Sequence, residues 1–198
     1  VLVSSTGVIG EKFNPKLISD KFKIFDSKSK NSLLDGAKAI MTTDTFAKVS
    51  IKNINLDNNS IKIYGIAKGS GMIQPNMATM LVYIFLECKV SQKQMKRLLK
   101  INLDKTFNSI TVDSDTSTND MVGIFATGKA KNSKIYNVLD PKLQDFEKAL
   151  HRLCLNLAKQ IVVDGEGAKK FITINVIGAR STTMAKNVAF SIANSPLV

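Results

Sequence analysis

The sequence predicts a mixed α/β layered fold, with helices covering the faces of a sheet. Three stretches carry that prediction. Residues 49–55 and 60–66 alternate apolar and polar side chains around Asp57-Asn58-Asn59, which is a hairpin pattern. Residues 79–86 form a near-continuous apolar run, suited to a strand buried on both faces. After Asp140, an apolar stripe of Leu143, Phe146, Leu150, Leu153, Leu157 and Ile161 recurs at helical spacing; Pro141 suits the first helical position and Gly165 marks the stop.

The remaining elements fall between these. Residues 1–3 read as a short strand running into an SSTG turn, residues 15–22 as a weak helix, and residues 30–41 as a better one, with Leu33, Leu34, Ala37, Ile40 and Met41 on one side. Ser91 is placed to cap a helix from Gln92 to about Phe107, with Met95, Leu98, Leu99 and Leu103 inward. Residues 109–112 and 121–127 read as short strands flanking DSDTSTND, residues 170–177 as an alternating strand, and Ser181 as the cap of a last helix ending near Ala193. Neither repeats nor low-complexity linkers interrupt the pattern.

The totals narrow the function classes. A chain of 198 residues with 44% hydrophobic and 22% charged residues has the composition of a globular domain with a buried core. Its longest apolar run, residues 78–86, is too short to span a bilayer as a helix, and a cytoplasmic, membrane-free setting is expected. The net charge of +12 invites a nucleic-acid reading, but 25 of the 28 basic residues are lysines, scattered along the chain. No nucleic-acid partner is therefore expected. The start on Val1 and the stop after ANSPLV read as cuts through a larger domain.

One histidine, His151, and two distant cysteines, Cys88 and Cys154, make neither a metal cluster nor a Ser–His–Asp triad. His151 falls mid-helix, where partial solvation is expected. The acids Asp113, Asp115 and Asp120 lack the glycine and distal glutamate of an EF-hand loop and are expected to bond nearby backbone N–H groups in turns. Nucleophilic chemistry without histidine needs another base, and a threonine freed at a new N-terminus has one in its own α-amino group. KGSGMIQPNMATML (residues 68–81) offers such a threonine: a glycine-rich turn leads through Pro75 and Asn76 to small Ala78 and then Thr79, where loop becomes strand.

Several stretches together resemble the ornithine acetyltransferase / glutamate N-acetyltransferase family of arginine biosynthesis. They are SSTGVIG (4–10), MTTDT (41–45), GIAKGSGMIQPNMATML (65–81), NSITVDSDTSTND (108–120), AKQIVVDGEGAKKFI (158–172) and IANSPLV (192–198), in family order along essentially the whole chain. The sequence departs from the usual pattern at Ala47, Gln74, Ser114, where glycine is usual, and Lys169.

The resemblance implies a mixed-sheet layered α/β sandwich of the ornithine acetyltransferase, N-terminal-nucleophile-like type, with residues 1–198 as part of one catalytic domain. It implies self-cleavage between Ala78 and Thr79, leaving residues 1–78 in an α chain and 79–198 in a β chain. These chains would form heterodimers that associate further, as a heterotetramer. Thr79 becomes the nucleophile, Thr6 and Gly7 stabilise the oxyanion, and Thr43, Lys68, Thr79 and Glu166 bind substrate. Acetyl passes from N-acetylornithine to glutamate through acetyl-Thr79; some members also accept acetyl-CoA, and no resident cofactor or metal is implied. Rival readings are an N-terminal-nucleophile amidase or aminopeptidase, with water as final acceptor, and a basic nucleic-acid or phosphate-binding module using the glycine-rich turn.

Overall fold

The sheet begins with the expected hairpin. In this computed structural model, which describes residues 4–6, 10–12, 14–23, 32–56, 58–73, 80–116, 119–133, 135, 137 and 140–198, strand β1 (Lys48–Leu56) pairs antiparallel with β2 (Asn59–Lys68). The register runs from Lys48↔Ala67 to Leu56↔Asn59, so two residues make the turn. Asn58 sits there at φ +59°, a left-handed conformation that asparagine tolerates better than most residues. Strand β3 (Leu81–Leu86) adds antiparallel to β2, and β4 (Met121–Ala126) adds parallel to β3, giving a mixed sheet in the order β1-β2-β3-β4. A parallel pair requires a crossover, and the connection here carries helix α3 (Gln92–Lys105).

Alternation sorts the strand residues onto two faces. Ile54, Leu56, Ile61, Ile63, Ala67, Val82, Ile84 and Leu86 are buried in the core with the stripe of helix α4 (Lys142–Val163). Each stripe residue is at most 2% exposed, and burying such a side chain contributes about 1.5–3 kcal/mol. The seat of α4 is therefore fixed by its length, and a single bond at its end could not reposition it. At Gly65 the fit is close: a Cβ there would stand 3.0 Å from Leu157 Cδ1 and 3.1 Å from Leu153 Cδ2. On the opposite face, Tyr64, Phe85 and Phe125 stack in a row across three strands, and helix α2 (Leu33–Ala39) approaches Ile66. The layered α/β class is as expected.

Helix ends follow local chemistry. α1 spans Pro15–Lys23. α2 is shorter than residues 30–41 because Ser32 and Asp35 form a capping box: Asp35 N donates to Ser32 Oγ at 3.2 Å, and Ser32 N to Asp35 Oδ2 at 2.8 Å. Ser91 caps α3 and Ser181 caps α5 (Thr182–Ala193), as expected.

Within α3, Gln94, Leu98 and Asn102 are buried, while Met95, Leu99 and Leu103 are half-buried. Two expected strands are absent. Residues 107–109 form a 3-10 turn, and the following stretch makes one backbone bond, Val112 N to Ile73 O at 2.8 Å. Residues 170–177 alternate in sequence but pair with no described strand, and Ile177 is 93% exposed. Alternation reports a willingness to pair; a ladder also needs a neighbour. The strand expected over residues 1–3 lies outside the described residues.

Candidate active site

Register gathers the site at one end of the sheet. Lys68, Leu81 and Met121 stand side by side across β2, β3 and β4. Beyond that row, β2 runs into the glycine-rich turn at Gly69, β3 is entered through Met80, and β4 is entered through Asp120.

A buried ion cluster braces this end. Lys48, 0% exposed, places Nζ 2.6 Å from Asp44 Oδ1 and 2.5 Å from Asp164 Oδ2. Asp44 also accepts from Gly69 N at 2.7 Å and Thr42 N at 3.1 Å. Asp164, the C-cap of α4, accepts from the Thr45 amide and hydroxyl. One ammonium thus ties the 41–45 loop, the glycine-rich turn and the end of the long helix. Burial pushes both carboxyls up. Lys48 and the surrounding N–H and O–H donors outweigh it, so both titrate below the usual carboxylate range.

The turn itself is over-determined. Thr43 Oγ1 and Ser70 Oγ are 2.6 Å apart, and Glu166 N donates to Ser70 O at 2.6 Å. A Cβ on Gly71 would stand 2.9 Å from Glu166 Oε2, so the missing side chain leaves room for that carboxylate. Met72 is held at φ +55°, a conformation costing about 1–2 kcal/mol for a non-glycine residue. Asp113 offsets that strain by accepting from both Met72 N and Ile73 N, the latter at 2.8 Å. The neighbouring Ser114 sits at φ +64°, which explains why glycine suits that position.

Lys68 is 2% exposed. Burial lowers its pKa, Asp44 and Asp120 act to raise it, and Lys48 acts to lower it further. Asp120 accepts from Met80 N at 2.6 Å, and burial pushes its carboxyl up to about 6 against the opposing pull of that bond and of Lys68.

Of the expected site residues, the structure brings Thr43, Lys68 and Glu166 to this end of the sheet. Lys68 is buried, whereas Thr43 and Glu166 are exposed. Gly7, Ala78 and Thr79 lie outside the described residues. Thr6 is half-buried, and its segment is tied to β3 through Ser4 Oγ, 2.5 Å from the Tyr83 hydroxyl.

Asp113 bonds a nearby backbone amide as expected, accepting from Asp115 N at 3.2 Å, and in addition Asp113 and Asp120 reach amides about 40 residues away, beyond their own turn. Sequence reading passed over Lys48, Asp44 and Asp164. Their signal was a lysine at an inward position of an alternating strand, four residues after an aspartate. His151 is half-buried on α4. Cys88 and Cys154 are buried thiols pushed up to about 12 by burial, hence core residues and not nucleophiles.

The ArgJ family model matches residues 1–198. The chain belongs to the ArgJ family. It is 48% identical over 199 residues to the arginine biosynthesis bifunctional protein ArgJ of Gluconobacter oxydans, and 49% identical to that of Ruegeria pomeroyi; each match covers 100% of this chain and 47% of the relative. The chain therefore spans about half the length of the curated relatives it matches. A crystal structure of the ArgJ protein from Bacillus halodurans superposes with a TM-score of 0.56 at 41% identity, covering 59% of this chain and 54% of that one. Among the described residues, no helix is long and apolar enough to cross a membrane.

Proposed function

We propose that the chain forms part of the catalytic domain of an acetyltransferase of arginine biosynthesis. It moves acetyl from N-acetylornithine to glutamate, with acetyl-CoA as an alternative donor. The observation that carries this reading is the grouping of Lys68, Thr43, Ser70 and Glu166 at the entrance to β3, in a chain of the ArgJ family. A substrate carboxylate would pair with the Lys68 ammonium, recovering charge stabilisation that burial withholds, and a substrate ammonium would pair with Glu166.

Maturation and turnover use one hydroxyl. Thr79 Oγ attacks the Ala78 carbonyl, the Ala78–Thr79 C–N bond breaks, and the proton passes to the departing nitrogen. Water then hydrolyses the resulting ester. The freed α-amino group next takes the hydroxyl proton as Oγ attacks the acetyl carbonyl; ornithine leaves with that proton, and the glutamate amine removes the acetyl group from Thr79. Each attack builds an oxyanion, for which Thr6 and Gly7 are the assigned donors; such a donor is worth about 2.7–4 kcal/mol. The cut falls between β2 and β3, whose ladder from Ile63↔Leu86 to Lys68↔Leu81 would keep the α and β pieces joined as a heterodimer, competent to associate into heterotetramers.

Intact mass of the full-length protein tests this directly. Two pieces and an acetyl adduct on the Thr79 piece are expected after incubation with N-acetylornithine. Thr79→Ala should stay uncut and take up no acetyl. A cut, acetylated Thr79→Ala protein would overturn the assignment, and an adduct that passes only to water would make the protein an amidase.

A further inference from the structure

Asp113 takes up three backbone N–H groups with its two oxygens. Oδ2 accepts from Met72 N, while Oδ1 accepts from Ile73 N at 2.8 Å and, within its own loop, from Asp115 N at 3.2 Å. An asparagine there would offer one acceptor oxygen and turn an NH2 group toward an N–H, so the position calls for a carboxylate. The loop is itself held from two sides. Val112 N donates to Ile73 O at 2.8 Å, and Thr111 Oγ1 donates at 2.9 Å to Oδ1 of Asn194, the C-cap of α5. The glycine-rich turn is thus gripped at Met72 and Ile73 by a loop that has its own anchor on another element.

That grip reaches Glu166. A Cβ built on Gly71 would stand 2.9 Å from Glu166 Oε2 and 3.6 Å from Asp113 Oδ2, so both carboxylates border the space that a side chain at Gly71 would fill. Glu166 N also donates to Ser70 O at 2.6 Å, which ties its backbone to the same turn. Resting on the acetyltransferase reading, we propose that Asp113 is a positioning residue: it fixes the glycine-rich turn beneath the Glu166 carboxylate and so sets where the donor's ammonium is held. In N-acetylornithine the α-amine is already an amide, and the ammonium that remains is the one at the end of the side chain. The seat beside Gly71 therefore selects donors by their terminal charge, at a point remote from the acetyl group.

The test is the rate at which the full-length protein takes up acetyl, read by intact mass with glutamate absent. Two donors are compared at subsaturating concentration: N-acetylornithine, and N-acetylnorvaline, which has the same carbon chain without the terminal amine. The parent should favour N-acetylornithine by about 10–100-fold, the worth of a hydrogen bond between charged groups. Asp113→Asn should fold and lose about tenfold of that preference, because the turn no longer holds Glu166 in place. Gly71→Ala keeps both carboxylates, and the Gly71 backbone lies outside the left-handed region, so alanine fits it. Its methyl group displaces the end of the Glu166 side chain, and the preference should fall to a similar degree. General damage to the fold would slow both donors alike. Either variant with the parent's preference would sink the proposal, as would an Asp113→Asn protein that unfolds, which would make Asp113 a structural anchor. A parent that takes up acetyl without distinguishing the donors would remove the Glu166–ammonium pairing and the role of Asp113 with it. A parent that takes up no acetyl would overturn the acetyltransferase reading itself; a selective parent with equally selective variants removes Asp113 alone.

Discussion

Lys48 and Lys68 approach the same end of the sheet from neighbouring strands, and both are sealed from water, at 0% and 2% exposure. Lys48 touches two carboxylates at 2.5–2.6 Å, which are in turn saturated by backbone amides and a threonine hydroxyl. Around Lys68, burial is the dominant influence and lowers its pKa, with Asp44 and Asp120 acting against it. The difference is one of balance. Lys48 and its two carboxylates hold three segments together, whereas burial outweighs the charges around Lys68, and in the proposed function a substrate carboxylate would offset that penalty.

That contrast can be broken most sharply at Lys48. Lys48→Met leaves Asp44 and Asp164 buried without their shared cation and should destabilise the full-length protein by about 3–5 kcal/mol in urea unfolding. Unchanged stability would deny it the role of brace. Lys68→Met should have the reverse profile. Stability should change little, while kcat/KM for acetyl transfer falls about 10–100-fold, the worth of a hydrogen bond to a charged group, about 1.5–3 kcal/mol. A large loss of stability with normal kinetics would merge the two lysines into one class.

The pH dependence of stability sharpens the comparison further. Asp44 and Asp164 have folded-state pKa values below the unfolded value of 3.8, so their contribution is present above that pH and is lost as pH falls through the lower folded values. The urea midpoint should therefore drop steeply below about pH 4 in the parent. Lys48→Met should show a shallower drop, and an identical one would contradict the assignment. The smallest effect is expected at Ser70→Ala, which removes the Thr43 contact in the turn. It should cost about 0.5–1.5 kcal/mol or less and raise KM modestly, as steady-state kinetics would report.

How much of this was legible in the sequence depended on the range of the interaction. The hairpin, the α4 stripe and the serine caps are written within a few residues of one another, and the structure repeats them. Residues 170–177 show the limit, because their alternation is local while a pairing strand is not. Lys68 and Glu166 were singled out through motif resemblance, since a lysine in a loop motif carries no sign of burial. Lys48 was missed because its partners lie 4 and 116 residues away, and only the packing of α4 brings Asp164 to it. Asp113 makes the local bond that its sequence context suggests, accepting from Asp115 N at 3.2 Å, but also reaches Met72 N and Ile73 N. Asp120 reaches Met80 N, 40 residues away, which no local pattern signals.

The close seat at Gly65 has a mechanical consequence. Leu153 and Leu157 rest almost on the backbone there, so Gly65 acts as a fulcrum for α4. Asp164 lies seven residues beyond Leu157, about 10 Å along the helix axis. A methyl group at Gly65 would press on the Leu157 and Leu153 Cδ atoms, 3.0 and 3.1 Å away, and those side chains would have to give by a few tenths of an ångström. The helix–sheet spacing that seats the Asp164 end of α4 is thus set in part by the absence of a side chain at a position that touches neither Lys48 nor the glycine-rich turn.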